Sequence, residues 1–220
     1  MEYKPILCSS ILKTITQTDS LFQGSYTVDP YLHCEFGCIY CDSTSATTIY
    51  IHHNCDTILT KELQTYPKGR IIIGSVHDPY QEAEKQYKQT QKILHVIKEH
   101  NWPCHILSKS SLITRDIGLL SSMDCLVTIS MISHRDLISH QFEPYLPSPQ
   151  DRLSLIETLL SHKIPTGIAM MPILPYITEV DIEPLIILAS ELHINHFVSQ
   201  FLELKGDQKQ QFFNLSLIHI

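Results

Sequence analysis

Three cysteines, Cys34, Cys38 and Cys41, stand at C-x3-C-x2-C spacing inside the stretch Asp29-Pro30-Tyr31-Leu32-His33-Cys34-Glu35-Phe36-Gly37-Cys38-Ile39-Tyr40-Cys41-Asp42. Thiolates this close in sequence can wrap one corner of an iron–sulfur cube. Such cubes normally take four cysteines, so here one iron would lack a protein ligand and could bind a small molecule. Gly37 permits a tight turn between ligands, and the aromatic Tyr40 precedes the third cysteine. The competing reading is a zinc site completed by His33 or a distant histidine. Zinc ribbons pair two C-x2-C knuckles, and this chain has no second knuckle. The spacing alone leaves both readings open.

Further residues fit for chemistry lie in segments that read as strand tips. Gly74-Ser75-Val76-His77-Asp78-Pro79-Tyr80-Gln81 offers acceptors at Ser75 and Asp78, although Asp78 can equally cap a turn leading into a helix. Leu107-Ser108-Lys109-Ser110 presents Lys109, a point charge suited to a carboxylate or an ordinary solvated lysine. Ser130 is the polar residue of Thr128-Ile129-Ser130-Met131. Arg152 can bind a carboxylate or brace the fold, and Met170-Met171-Pro172 supplies apolar surface for a flat ring or for the core.

Positioning these residues requires alternating elements. Ser25–Val28, Arg70–Ser75, Cys104–Ser108, Cys125–Met131, Pro165–Met171 and His196–Leu204 read as strands, several of them β-branched runs. Gln81–His100 reads as one long helix, with others over Thr57–Tyr66, Ile113–Ser121, Pro149–His162 and Glu179–Leu192. Ser148 is a plausible cap before Pro149. A short helix is expected near Ser9–Thr16. Strand–helix alternation implies an α/β fold with a parallel sheet. Six strands point to a partial (βα)6 TIM-type barrel, C-terminally truncated, with its site at the C-terminal strand ends. The expected organisation is a lead-in over 1–24, a core over 25–204 and a tail over 205–220.

The chain has 220 residues and a formal net charge of −7, from 16 Lys+Arg against 23 Asp+Glu. That balance gives no nucleic-acid footprint, and no apolar run is long enough to span a membrane. Seven cysteines, an odd number, follow a start without a secretion signal. A reducing cytoplasm is the expected compartment, with Cys8, Cys55, Cys104 and Cys125 as buried thiols.

The cysteine stretch resembles the C-x3-C-x-aromatic-C signature of the radical S-adenosylmethionine superfamily. Its flanks resemble the branch of spore photoproduct lyase and the photolyase-like DNA repair proteins, although this chain carries Asp29, His33 and Asp42 where that branch usually has Asn, Gly and Tyr. Ile73–Glu84, Leu107–Asp116, Glu143-Pro144 and Pro147–Leu153 are similar to further segments of the branch. The resemblance implies a [4Fe–4S] cluster on Cys34, Cys38 and Cys41, and S-adenosylmethionine held by Tyr40, Ser75, Asp78, Lys109 and Ser130. It also implies a reductant such as flavodoxin or ferredoxin. Catalytic residues and substrate stay unknown. Spore photoproduct lyase itself uses an added cysteine at the tip of its second strand to return a hydrogen atom to the product. That place falls at Ser75 here, so a substrate other than the DNA lesion is expected. The alternatives are a DNA-lesion lyase or a non-catalytic metal module.

Leu215-Ser216-Leu217-Ile218-His219-Ile220 matches, residue for residue, one reading frame of a transposon mosaic end used in sequencing libraries. The expected tail is therefore artefactual, following a barrel cut before its last helix.

Overall fold

The structure is a computed structural model that describes residues 1–17, 19–41, 47–204, 209 and 212. In chain order the elements begin with β1 (Glu2–Ile6), β2 (Lys13–Thr14), β3 (Tyr26–Val28), β4 (Tyr31–Leu32), β5 (Thr48–His52) and α1 (Cys55–Leu63). There follow β6 (Ile71–Ile73), α2 (Glu82–Tyr87), α3 (Gln89–Glu99), β7 (Cys104–Ser108), a 3-10 turn Ser111–Asp116 with α4 (Ile117–Leu120), and β8 (Cys125–Ser130). The chain continues through α5 (Asp136–Phe142), α6 (Pro149–Ser161), β9 (Thr166–Ile173), a 3-10 turn Glu179–Asp181 with α7 (Ile182–Glu191), and β10 (His196–Phe201).

The main sheet runs β10-β9-β8-β7-β6-β3-β2. Its strands β3, β6, β7, β8, β9 and β10 are parallel in sequence order, and β2 is antiparallel at the edge. The six expected strands are therefore all present and correctly ordered. The sheet is open: among the described residues no pairing joins β10 to β2 or β3, so no barrel closes. A second, three-stranded sheet, β1-β5-β4, was not expected.

Side chains alternate across a strand, and the two faces differ in chemistry. Ile71, Ile73, Cys104, Ile106, Cys125, Val127, Ile129, Ile168 and Met170 face a core shared with α1, α3, α6 and α7. The buried aliphatic residues Leu59, Ile93, Leu155, Ile156, Leu159 and Leu185 of those helices cover it. The other face keeps a polar floor. His105 Nε2 and His196 Nε2 both contact Thr128 Oγ1, at 2.5 and 2.6 Å. Gly167 makes room for it, since a Cβ there would stand 2.3 Å from the His196 ring. Cys55, Cys104 and Cys125 are buried and Cys8 half-buried; no disulfide joins any of the seven cysteines, all of which are described.

Two local expectations fail. The lead-in is not helical over Ser9–Thr16. Ile11 and Leu12 donate their backbone N–H groups to the Glu62 carboxylate, and Lys13–Thr14 pairs with β3, so tertiary bonds override local propensity. The helix over Gln81–His100 is two helices, broken at Lys88 with φ 54°. The Glu84 carboxylate accepts the N–H groups of Thr90 and Gln91 at 2.9 and 3.2 Å, capping α3 afresh. The cap position of α2 is Gln81, but Asp78 does cap the turn leading into it, its Oδ1 accepting the Tyr80 N–H at 2.9 Å. Ser148 does cap α6, in a reciprocal box with Asp151 behind Pro149. The expectations for the tail over 205–220 lie outside the described residues, apart from the isolated positions 209 and 212.

Candidate functional site

The cysteine loop crosses the C-terminal end of the parallel sheet and is fixed from two sides. On one side Gln81 Nε2 donates to the His33 carbonyl at 3.1 Å, and its Oε1 accepts the Glu35 N–H at 3.3 Å. Glu35 in turn accepts the Ala83 N–H at 2.6 Å and the Tyr3 hydroxyl at 2.7 Å. On the other side the Ile39 N–H donates to the Phe142 carbonyl at 3.0 Å, and the Tyr40 hydroxyl donates to Glu143. Within the loop Gly37 has φ 62°, and an added Cβ would lie 3.1 Å from the Tyr145 ring. Glycine meets both constraints without strain.

The three thiols sit together electrostatically. Burial pushes Cys34 up to about 12; the neighbouring Asp78 carboxylate adds to the rise, while N–H groups of Phe36 and Asp78 at its sulfur oppose it. Burial also pushes Cys38 up to about 12, with Lys109 pulling down and Glu143 and Cys41 pushing up. Soft sulfur donors crowded in one short loop suit an iron–sulfur cluster in type and number of ligands. Among the described residues no three His, Cys, Asp or Glu side chains converge as the ligands of one ion would. A cube-type cluster attaches each thiolate to a different iron, so convergence on one point is not its requirement.

Beside the loop lies a cleft of about 430 Å³ at the C-terminal ends of β6 to β10. Tyr40, Ser75, Asp78, Lys109 and Ser130, all singled out from the sequence, line it together with Cys41. Met171, Pro172 and Phe201 supply apolar wall. Met170 is instead buried on the helix-facing side of β9.

Asp78 is already engaged. Its Oδ1 accepts the Ser108 hydroxyl at 2.8 Å and the Tyr80 N–H at 2.9 Å, and its Oδ2 accepts the Lys109 N–H at 2.8 Å. A carboxylate has about four acceptor positions, so roughly one remains for a ligand. Burial raises Asp78 above the usual carboxylate range, against Lys109 and these donors. Burial pulls Lys109 toward neutrality, but Cys38, Glu143 and Asp78 outweigh it and leave the ammonium above the ordinary lysine value. Among the described residues Lys109 makes no direct ion pair. The Ser130 hydroxyl makes only a long bond, 3.5 Å, to the Met171 carbonyl.

Arg152 is a brace. It is 1% exposed, pairs with Glu143 at 2.6 Å, and donates to the carbonyls of Ser130 and Pro147, both at 3.0 Å. Sequence reasoning gave no role to Gln81 or Glu143. Their only signal was membership of segments that resemble the spore photoproduct lyase branch.

No family model matches the chain. It is 27% identical over 194 residues to the uncharacterized protein MJ0683 of Methanocaldococcus jannaschii, covering 84% of this chain and 73% of that one. It is 26% identical over 201 residues to the uncharacterized protein Rv2578c of Mycobacterium tuberculosis, covering 80% of this chain and 57% of that one. Among solved structures, spore photoproduct lyase complexed with dinucleoside spore photoproduct superposes with a TM-score of 0.75 at 12% identity, covering 97% of this chain and 66% of that one. The fold is that of spore photoproduct lyase. A variant of that lyase with bound AdoMet and dinucleoside spore photoproduct gives 0.71 at 14% identity, covering 92% of this chain and 63% of that one. SuiB of Streptococcus suis bound to S-adenosylmethionine gives 0.66 at 14% identity, covering 96% of this chain and 47% of that one. The resemblance read in the cysteine loop thus holds at the level of the fold. The chain spans less than two thirds of the mycobacterial relative and of SuiB. No helix among the described residues is long and apolar enough to cross a membrane.

Proposed function

We propose that this chain is the core of a radical S-adenosylmethionine enzyme. The observation that carries the reading is the juxtaposition of the three-cysteine loop with a cleft at the strand ends that Ser75, Asp78, Lys109 and Ser130 line. Likeness of fold to structures containing S-adenosylmethionine supports it. Cys34, Cys38 and Cys41 would hold a [4Fe–4S] cluster. When bound, the cluster supplies the electron that cleaves S-adenosylmethionine to methionine and a 5′-deoxyadenosyl radical, which takes hydrogen from a substrate.

The chain's own residues orient the cofactor. Lys109 pairs with the methionine carboxylate as an ammonium held charged by its acidic neighbours. The remaining acceptor position of Asp78 and the exposed Ser75 hydroxyl receive the amino group. Ser130 turns its weakly held hydroxyl into the cleft. Tyr40 closes the cleft wall beside Cys41, and Met171 with Pro172 packs the adenine. A one-electron donor such as flavodoxin or ferredoxin supplies the reducing equivalents, and a reducing cytoplasm keeps the thiols available.

Anaerobic reconstitution with iron and sulfide, followed by an assay for 5′-deoxyadenosine, tests the reading. Stoichiometric iron and acid-labile sulfide with reductive cleavage of the cofactor is the expected result. One tightly bound zinc and no sulfide would replace it with the non-catalytic metal module.

A further inference from the structure

The two clamps on the cysteine loop differ in kind. The Gln81 and Glu35 side binds backbone near Cys34, through neutral and exposed partners as well as buried ones. The Glu143 side is a buried, charged lock, in which one Arg152 nitrogen, Nη2, has no partner among the described residues. Glu143 is 1% exposed, Arg152 1% and Tyr40 7%. One carboxylate oxygen of Glu143 receives the Tyr40 hydroxyl, and the other faces Arg152 Nη1 at 2.6 Å. Arg152 is itself fixed to the last residue of β8 through the Ser130 carbonyl, and to the turn before α6 through the Pro147 carbonyl. The Glu143 N–H closes the end of α5 on the Ser139 carbonyl at 2.7 Å. A chain of contacts therefore runs from the sheet through Arg152 and Glu143 to Tyr40, the residue between Cys38 and Cys41.

We infer that Glu143 is the positioning residue of the cysteine loop: its carboxylate, shared between Tyr40 and Arg152, fixes the segment from Cys38 to Cys41 beside the cleft that Tyr40 and Cys41 line. The inference deepens the proposed function and rests on it only for the identity of the bound group. A carboxylate is suited to the task because it accepts from a hydroxyl and a guanidinium at once. Arg152 compensates the buried charge, which would otherwise favour opening of the site.

The test uses the metal-free chain first. Cysteine alkylation by N-ethylmaleimide is followed residue by residue by peptide mass spectrometry in wild type, E143A, E143Q and Y40F. Cys38 is 8% exposed, against 0% for Cys55 and 1% for Cys104. In E143A the Cys38 rate should rise roughly tenfold to a hundredfold, as loss of a charge-assisted bond implies, while Cys55 and Cys104 stay protected. E143Q keeps one acceptor oxygen but takes the counter-charge from the buried Arg152 guanidinium, so it should lie between wild type and E143A, whereas Y40F, which leaves the Glu143–Arg152 pair intact, should follow E143A. Unchanged Cys38 labelling in E143A overturns the inference. So does a parallel rise at Cys55 and Cys104, which would make Glu143 a general stability residue. Iron and sulfide content is then measured in the same variants after reconstitution. A wild type that takes up neither overturns the proposed function while leaving the labelling result to judge Glu143.

Discussion

Lys109→Met is the most informative single change in the cleft. It keeps the aliphatic stem and removes the ammonium. The cation lies within electrostatic reach of Cys38, Glu143 and Asp78 but makes no direct ion pair among the described residues, so no bonded partner is orphaned. Its backbone N–H, which donates to Asp78 at 2.8 Å, is untouched. The cost should therefore fall on ligand binding rather than folding. A charge-assisted contact to a carboxylate in this half-enclosed cleft is worth about 1.5–3 kcal/mol, which is roughly one to two decades in affinity. The assay is anaerobic calorimetry of S-adenosylmethionine binding to reconstituted protein, with iron content measured on the same samples. Unchanged affinity in both K109M and S130A would refute the carboxylate assignment. Loss of iron together with affinity would instead make Lys109 part of the loop's packing.

Other outcomes follow from the same geometry. Alanine at Cys34, Cys38 or Cys41 should abolish iron–sulfur absorbance, whereas C55A, C104A and C125A, changed in the core, should keep iron near wild type; equal loss in C104A and C38A would overturn the ligand assignment. His105 is held down to about 4 by burial, with His196 and Arg70 adding to the shift. The unfolded chain takes up that proton first as pH falls below about 6.5, so stability should drop by about 2 kcal/mol between about pH 7 and pH 5. Urea melts check the slope, which His105→Phe should flatten by that amount against the remaining titrating groups. Ser75 is exposed on the cleft, and Cys55, Cys104 and Cys125 lie in the helix-facing core. Anaerobic incubation with ultraviolet-irradiated spore-type DNA should therefore give no catalytic restoration of thymine, and turnover well above one per chain would make lesion repair the leading function.

The parallel strands were legible because each is a short apolar run bounded by turn residues, as in Ile71-Ile72-Ile73 after Pro67-Lys68-Gly69. The cap at Ser148 was legible because its partners, Pro149 and Asp151, are adjacent in sequence. The second sheet was not, since β1 and β5 pair across more than forty intervening residues and neither alternates cleanly in burial. Nor was the break at Lys88. It depends on Glu84 reaching over to cap α3 while also taking Arg115 at 2.6 Å and the Tyr31 hydroxyl. The candidate site divides in the same way. Residue type and spacing singled out Cys34, Cys38 and Cys41, whereas Lys109 came from a segment that resembles the branch, its spacing alone leaving a solvated lysine equally open. Gln81 and Glu143 act through partners 46 to 48 and 103 positions away, a separation that local pattern does not encode.

The acidic residues explain how so mobile a kind of element as a set of strand-end loops can present an ordered cleft. Asp78, Glu84 and Glu143 each sit where a motif would tempt a catalytic reading, and each is engaged by protein donors. The Asp29 carboxyl is raised by burial, against Lys13 and the nearby N–H groups of Val76 and His77, and its Oδ1 has no partner among the described residues. Asp78 joins the loop after β6 to the end of β7, Glu84 starts α3, and Glu143 locks the cysteine loop. Loop backbone that leaves a sheet loses its ladder partners, and buried N–H groups must find others. Carboxylates supply them with stronger bonds than neutral acceptors do. The excess of acidic residues is in part an internal scaffold at the strand ends. On the function proposed above, the cleft groups left to meet a ligand are chiefly the Lys109 ammonium, the Ser75 hydroxyl and the weakly held Ser130 hydroxyl.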